Sequence, residues 1–173
     1  LLYVHYNKSN QLSEYVVDQL TKIKPLFRKV VFITNSKVTK SDMGRLEKLY
    51  DIFIQRENIG FDFGAWRDGI YKIGWKELEK YDSITLMNDT CFGPVYPLED
   101  IYKKMENKKV DFWGMTDHGD SVDGMPGTNE SIPYHIQSYF TVFNSRIIQS
   151  KAFRLFWKNI EQFTDVEKVI QLY

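Results

Sequence analysis

The sequence predicts an α/β fold: a three-layer α/β/α sandwich on a mainly parallel central sheet. Three observations predict it. Apolar runs of strand length alternate with stretches whose apolar residues recur every three or four positions. The apolar runs end in polar turn residues, as strands do where they enter a loop. The chain has 173 residues and is 43% apolar and 16% aromatic, enough for one packed domain over 1–173.

Leu1 to Tyr6 is the first strand, followed by the polar loop Asn7-Lys8-Ser9-Asn10. Leu12, Val16, Leu20 and Ile23 share one face of a helix that Pro25 closes. Val30 to Thr34 has the continuous apolar character of a strand buried on both faces. Ser41 and Asp42 are read as the start of a short helix carrying Met43, Leu46 and Leu49. Ile52 to Gln55 is the third strand, and the loop Arg56 to Asp62 follows, with Asp62 as a helix cap. Ala65, Trp66, Ile70 and Ile73 continue that helix. Ser83 to Met87 is a fourth strand ending at Asn88-Asp89-Thr90. Pro97 suits a first helical position ahead of Leu98, Ile101 and Met105.

Val110 to Met115 and Gln137 to Phe143 are further strands. Between them, residues 116–134 are polar and aperiodic, the mark of a functional loop or lid. Phe153, Phe156, Trp157 and Ile160 define the last complete helix. Thr164-x-x-Glu167 has the form of a capping box opening another helical pattern. With no Met at its start and a helical pattern at its end, the sequence reads as part of a longer protein.

Composition excludes several classes. Lys and Arg number 23, as do Asp and Glu, so no basic field favours nucleic acid. No apolar run approaches the ~20 residues of a membrane span. Leu1-Leu2-Tyr3-Val4 reads as strand and not as a secretion leader. One cysteine, Cys91, excludes an internal disulfide framework and fits a reducing compartment.

In parallel sheets ligands bind outside the carboxyl ends of the strands, so those ends carry the candidate sites. Asp89 is the sharpest. A carboxylate there can hold Mg²⁺ or Mn²⁺ against a diphosphate, or it can cap its own turn. Asn58-x-Gly60-x-Asp62-x-Gly64 can admit a ligand to a helix N-terminus, or serve as a tight turn. Asp117-His118-Gly119-Asp120 opens the long loop and offers a general base or second metal ligand, or a solvated loop. His135, Gln137, Ser138 and Tyr139 enter the sixth strand, where they can meet an acceptor hydroxyl. His5, inside the first strand, reads as a core histidine.

These residues resemble those of the rhamnan synthesis protein F family of bacterial polysaccharide glycosyltransferases. The matching stretches are Arg56 to Trp66, Leu86 to Thr90, Phe112 to Asp117 and Gln137 to Phe140, in the family's order. The same pieces are similar to family-2 glycosyltransferases with the A-type (nucleotide-diphospho-sugar transferase) fold. There an Asp-x-Asp-like motif ending an apolar strand holds the metal. Here it is reduced to Asn88-Asp89, with Met87 at the place of a first acid and Asp89 in the metal-facing place. The resemblance implies a nucleotide-sugar donor, dTDP-rhamnose, bound near Tyr6, Asn7, Asn58, Gly60, Asp62 and Asn88. It implies a lipid-linked or polysaccharide acceptor at the cytoplasmic face of the plasma membrane, with membrane association through regions outside this chain. His118, His135, Gln137 and Ser138 fall on the acceptor or lid side, and Asp117 and Asp120 are the candidates for general base.

Two other readings stand beside this one. A non-catalytic domain would keep the fold and hold a glycan or partner. A flavodoxin-like phosphoacceptor would use Asp89, but His5-Tyr6-Asn7 lacks the acidic pair expected after the first strand.

Overall fold

The computed structural model describes residues 1–119, 133–165 and 168–169. A six-stranded sheet runs in the order β3-β2-β1-β4-β8-β5. Its strands are β1 (Leu2–His5), β2 (Val31–Thr34), β3 (Ile52–Gln55), β4 (Ser83–Asn88), β5 (Phe112–Gly114) and β8 (Phe140–Asn144). The first four are mutually parallel, with Leu2 opposite Val31 and Leu86, and Val31 opposite Ile52. β8 runs antiparallel between β4 and β5, so the sheet is mixed but mainly parallel, as the sequence predicts.

The strands alternate apolar residues between two faces, and both faces are covered. Tyr3, Phe32, Met87 and Val142 point to one side. There they pack against α1 (Glu14–Ile23), α2 (Lys40–Arg45) and α5 (Leu98–Glu106) through Val16, Leu20, Ile23, Leu46 and Leu98. Leu2, Val4, Ile33 and Leu86 point to the other. They meet α3 (Phe61–Ile73), α4 (Trp75–Leu78), α6 (Ser145–Ile148) and α7 (Lys151–Asn159) through Trp66, Ile70, Leu78, Ile148 and Trp157. This is the expected three-layer sandwich.

Several boundaries differ from expectation, each for a local reason. The cap of α2 is Thr39, whose hydroxyl accepts the Asp42 N–H while the Asp42 carboxylate accepts the Thr39 N–H. Asp42 is therefore the third residue of a capping box, and Leu49 lies outside the helix. Pro97 is the N-cap of α5, one position before the predicted first turn. The cap of α3 is Gly60, in the left-handed region at φ 71°, and not Asp62.

The strand predicted over 137–143 begins at Phe140, because Ser138 and Tyr139 form a turn. Part of the predicted loop 116–134 is instead a hairpin rim, where β6 (Asp117–His118) pairs antiparallel with β7 (His135–Ile136). After this antiparallel pair, β8 enters between β4 and β5 antiparallel to both. A Cβ at Gly114 would lie 2.1 Å from Ile136 Cγ2, so the hairpin crosses β5 where a side chain is missing. Asp120 and Glu167, and with it the second half of the predicted capping box, lie outside the described residues.

Candidate functional site

The strand order places the site. From β1 the chain steps outward to β2 and β3, then returns so that β4 lies on the other side of β1. The carboxyl ends of β1 and β4 therefore flank the topological switch point, where open α/β sheets present a crevice. Tyr6 and Asn7 leave β1 there, and Asn88 and Asp89 end β4 there.

Asp89 leans across this gap. Its Oδ2 accepts the Tyr6 N–H at 3.3 Å, and its own carbonyl accepts the Tyr15 hydroxyl at 2.8 Å. The residue is 9% exposed. Burial pushes its carboxyl up to about 6, and the Asp62 carboxylate adds to the rise while the Tyr6 N–H opposes it. Among the described residues the cation-forming group within 4 Å is His5, whose Nε2 lies 3.9 Å from Oδ2. Burial lowers the pKa of that imidazole, so it offers no charge at neutral pH. His5 otherwise bonds through Nδ1 to the Thr34 hydroxyl at 2.9 Å and is a core residue, as predicted.

The turn-capping role is taken by Asn88. Its Oδ1 accepts from the Thr90 N–H at 3.2 Å and from the Thr90 hydroxyl at 2.6 Å, an Asx turn. Its Nδ2 donates to Asp62 Oδ2 at 2.7 Å, tying β4 to the first turn of α3. Burial raises the Asp62 pKa and the Asn88 amide opposes that rise. Two carboxylates thus face the switch point from different elements.

The second wall is the loop from Arg56 to Phe61. Arg56 holds it from three directions: Nε donates to Asp68 Oδ2 at 2.7 Å, one terminal nitrogen to Asn35 Oδ1 at 2.9 Å, the other to the Ile59 carbonyl at 2.6 Å. Asn35 passes the link on, donating to Asn58 Oδ1 at 2.9 Å. Gly60 then takes φ 71° and Phe61 φ 49°. A positive φ at Phe61 is strained backbone of the kind that clusters at ligand sites. The Gly60 N–H donates to the Phe163 carbonyl at 2.7 Å, so the segment after α7 packs against this wall.

Gly64 lets the loop close onto α3: a Cβ there would lie 2.7 Å from the Ile59 carbonyl oxygen and 3.2 Å from an Arg56 terminal nitrogen. Backbone cannot yield as a side chain does. Gly64→Ala is expected to cost about 1–3 kcal/mol in urea unfolding through this overpacking. Gly44→Ala, whose Cβ meets nothing within 4 Å, is expected to be neutral or mildly stabilising.

Asn7 organises its own loop. Its Oδ1 accepts from Ser9 N at 2.8 Å and Gln11 N at 3.3 Å, and its N–H donates to Ser36 Oγ at 2.7 Å. Tyr6 is 45% exposed at the rim. Beyond Asp89, Gln19 of α1 pins the next loop by donating to the Cys91 and Gly93 carbonyls at 3.1 and 3.0 Å. Phe92, 77% exposed, lies against Tyr15 with ring centroids 4.5 Å apart. Tyr15 and Phe92 are not among the residues the sequence marks for the site. Asn35 closes a strand and Arg56 opens the Arg56 to Trp66 stretch, but nothing local in the sequence pairs the two.

On the far side, Asp117 accepts from the exposed Tyr134 hydroxyl at 2.6 Å. The Thr116 hydroxyl lies 2.5 Å from Gln137 Oε1 and 3.1 Å from the Tyr139 hydroxyl. Ser138 lies in the turn that leads into β8. His118 and His135 sit opposite one another on β6 and β7. A cavity of about 200 Å³ opens at the other edge of the sheet, among Leu1, Phe27, Lys29, Tyr81 and Ser83. It lies at the amino ends of β1 and β4, away from the acid and amide groups, and is set aside as the site on that ground.

Among the described residues no three His, Cys, Asp or Glu side chains gather as a metal cage. The donor set at the switch point fits a different arrangement, a hard cation held by Asp89 together with a ligand's phosphate oxygens and water. No helix among the described residues is long and apolar enough to cross a membrane.

A model of the rhamnan synthesis protein F family matches residues 30–173. The chain is 30% identical over 142 residues to the uncharacterised protein y4gN of Sinorhizobium fredii, covering 82% of this chain and 35% of that protein. It is 33% identical over 98 residues to the virulence protein VirA of Vibrio anguillarum, covering 56% and 27%. The chain thus spans about a third of the length of the curated relatives it matches. Among solved structures it is similar to core-mannan synthase A of Aspergillus fumigatus in its Mn/GDP form, at a TM-score of 0.45 and 8% identity, over 91% of this chain and 62% of that one. It is similar to the mannosyltransferase Ktr4p of S. cerevisiae in complex with GDP, at 0.45 and 9%, over 91% and 59%.

Proposed function

The chain belongs to the rhamnan synthesis protein F family, and on that premise we propose that it is the nucleotide-sugar-binding part of a glycosyltransferase. The observation that carries the reading is Asp89: a nearly buried carboxylate that joins the ends of β4 and β1 at the switch point, with no Lys or Arg among the described residues within 4 Å of it. Such a group is held at an energetic cost, which binding of a cation offsets.

In this reading the donor lies along the carboxyl ends of β1, β2 and β4. The diphosphate faces Asp89, which with Mg²⁺ or Mn²⁺ holds it; the cation supplies charge neutralisation for the leaving diphosphate. Asp62 and Asn88 set the position of the β4 end. The loop from Asn58 to Gly60 brings backbone close to the donor, and Tyr6 and Asn7 border the nucleoside. The rim pair Tyr15 and Phe92 offers apolar rings to a base or sugar face. Gln137 and Ser138 stand on the acceptor side. Asp117, with Asp120, is proposed as the base that takes the acceptor proton, its carboxylate oriented by Tyr134. Within the A-type glycosyltransferase architecture the donor sugar is proposed as rhamnose, carried as dTDP-rhamnose. The acceptor is proposed as a growing surface or cell-wall polysaccharide at the cytoplasmic face of the membrane, reached through other parts of the protein.

The test is a thermal-shift panel of UDP, GDP, dTDP and their sugars, each with and without Mn²⁺. A dTDP ligand that raises Tm only with Mn²⁺ is the expected result; at 100 times its Kd the stabilisation is about 2.7 kcal/mol. A flat panel across all nucleotides would reject donor binding and favour a glycan- or partner-binding domain.

A further inference from the structure

The rim that carries the acceptor-side residues also holds a pair of histidines to which the proposed transfer assigns no chemical step. His118 on β6 and His135 on β7 are direct cross-strand partners. Their rings lie with centroids 5.5 Å apart and planes within 15° of parallel. Both residues are exposed. His118 Nδ1 lies 2.7 Å from the Gly119 carbonyl, and His135 Nδ1 lies 2.9 Å from the Pro133 carbonyl.

A carbonyl oxygen only accepts hydrogen bonds, so in both rings Nδ1 must be the protonated nitrogen. Each neutral ring then carries its lone pair on Nε2. This is the state of metal-ligating imidazoles, whose second nitrogen donates to a backbone carbonyl and so fixes tautomer and ring orientation. Here the same backbone device is applied to two rings that the hairpin register holds side by side.

We infer that His118 and His135 form a two-imidazole site on the β6–β7 hairpin for a borderline transition-metal cation of the zinc, nickel or copper type. The site is chemically distinct from the one proposed at Asp89. Oxygen ligands at the switch point select a hard cation, whereas paired nitrogens select a softer one. Water completes the coordination. The sequence holds three histidines, and the third, His5, is 1% exposed and bonded to Thr34, so it cannot substitute for either ring.

The experiment is calorimetric titration of tag-free protein with Zn²⁺ in excess Mg²⁺, which occupies oxygen sites. One Zn²⁺ per chain is expected. His118→Gln or His135→Gln is expected to weaken binding at least tenfold, about 1.4 kcal/mol. Cys91→Ser is expected to leave it unchanged, and the Cu²⁺-loaded protein is expected to show hyperfine coupling to two nitrogens in its paramagnetic resonance spectrum. Because the histidines lie on the surface, near-UV circular dichroism of both variants should match the parent. Binding that survives both histidine substitutions, that vanishes in Cys91→Ser, or that is undetectable in the parent would overturn the inference and leave the pair as a stacking contact. None of these outcomes depends on donor binding at Asp89.

Discussion

Asp89→Asn is expected to stabilise the ligand-free protein above pH 6 while abolishing its Mn²⁺-dependent response to nucleotide. The two effects have one cause. In the folded chain the Asp89 carboxyl is pushed up to about 6 from an ordinary 3.8, chiefly by burial. A raised carboxyl pKa means that the folded state holds the proton more tightly than the unfolded state. Well below pH 3.8 the group is protonated in both states and adds no penalty. As pH rises from 4 towards 6, the unfolded chain ionises freely and the folded one does so at a cost. Folding stability therefore falls across that window and then levels off.

A difference of about 2 pKa units corresponds to roughly 3 kcal/mol, or about 6–12 °C in Tm for a domain of this size. Asparagine keeps an oxygen for the Tyr6 N–H and carries no charge, so the penalty disappears. Thermal unfolding of parent and variant should converge below about pH 3 and separate by several degrees at pH 7.5. Calorimetry with dTDP and Mn²⁺ at pH 7.5 should show binding by the parent alone. Parent and variant curves that run parallel at all pH values would mean that Asp89 ionises without strain, and nucleotide binding retained by the variant would remove it from the cation site.

How much of this was legible in the sequence depends on the range of the interaction. The four parallel strands were read almost to the residue, because continuous apolar runs such as Val31 to Ile33 have no stable place except between two helical layers. The cap of α2 was equally local, Thr39-x-x-Asp42, yet it was passed over for the adjacent Ser41-Asp42 pair, which has the right residue types one turn too late. Gly60 as the cap of α3 was harder to see. An Asp two residues on is the commoner cap by composition, and only the left-handed backbone of Gly60 and Phe61 decides against it.

The direction of β8 was not legible at all. It follows the β6–β7 pair, whose strands are two residues each and leave no periodic signal. The division of labour at Asn88-Asp89 is the instructive case. Either side chain can make an Asx turn, and the sequence left the choice open. Asn88 takes the turn because its amide nitrogen also satisfies Asp62 on α3, a contact 26 residues away in the chain that no local pattern encodes.

The same lesson gives the other large effect. Arg56→Ala is expected to destabilise the protein by about 3–5 kcal/mol, the range for removing one member of a buried charged network. The Arg56 side chain is 10% exposed, whereas that of Asp68 is 34% exposed, so screening at Asp68 places the cost nearer the lower end. The loss is larger than one ion pair because the guanidinium joins three elements: α3 through Asp68, the end of β2 through Asn35, and the Arg56 to Phe61 loop through the Ile59 carbonyl. Its removal leaves Asn35 Oδ1 and the Ile59 carbonyl without their donor, and the desolvation of such groups is not recovered.

Arg56→Lys keeps the charge but has no planar fork, so it can restore the Asp68 pair and not the other two bonds together. It should recover about a third of the lost stability in urea unfolding and little of the nucleotide affinity. That split is diagnostic. If Arg56 only staples the fold, Lys should restore binding in step with stability. If it also shapes the Asn58 to Phe61 backbone against which the donor lies, affinity should remain more than tenfold weaker in a protein that is mostly refolded. A lysine variant that binds nucleotide like the parent would show that the left-handed turn at Gly60 and Phe61 holds without the guanidinium, and the donor wall would have to be reassigned to Gly64 and the Phe163 contact alone.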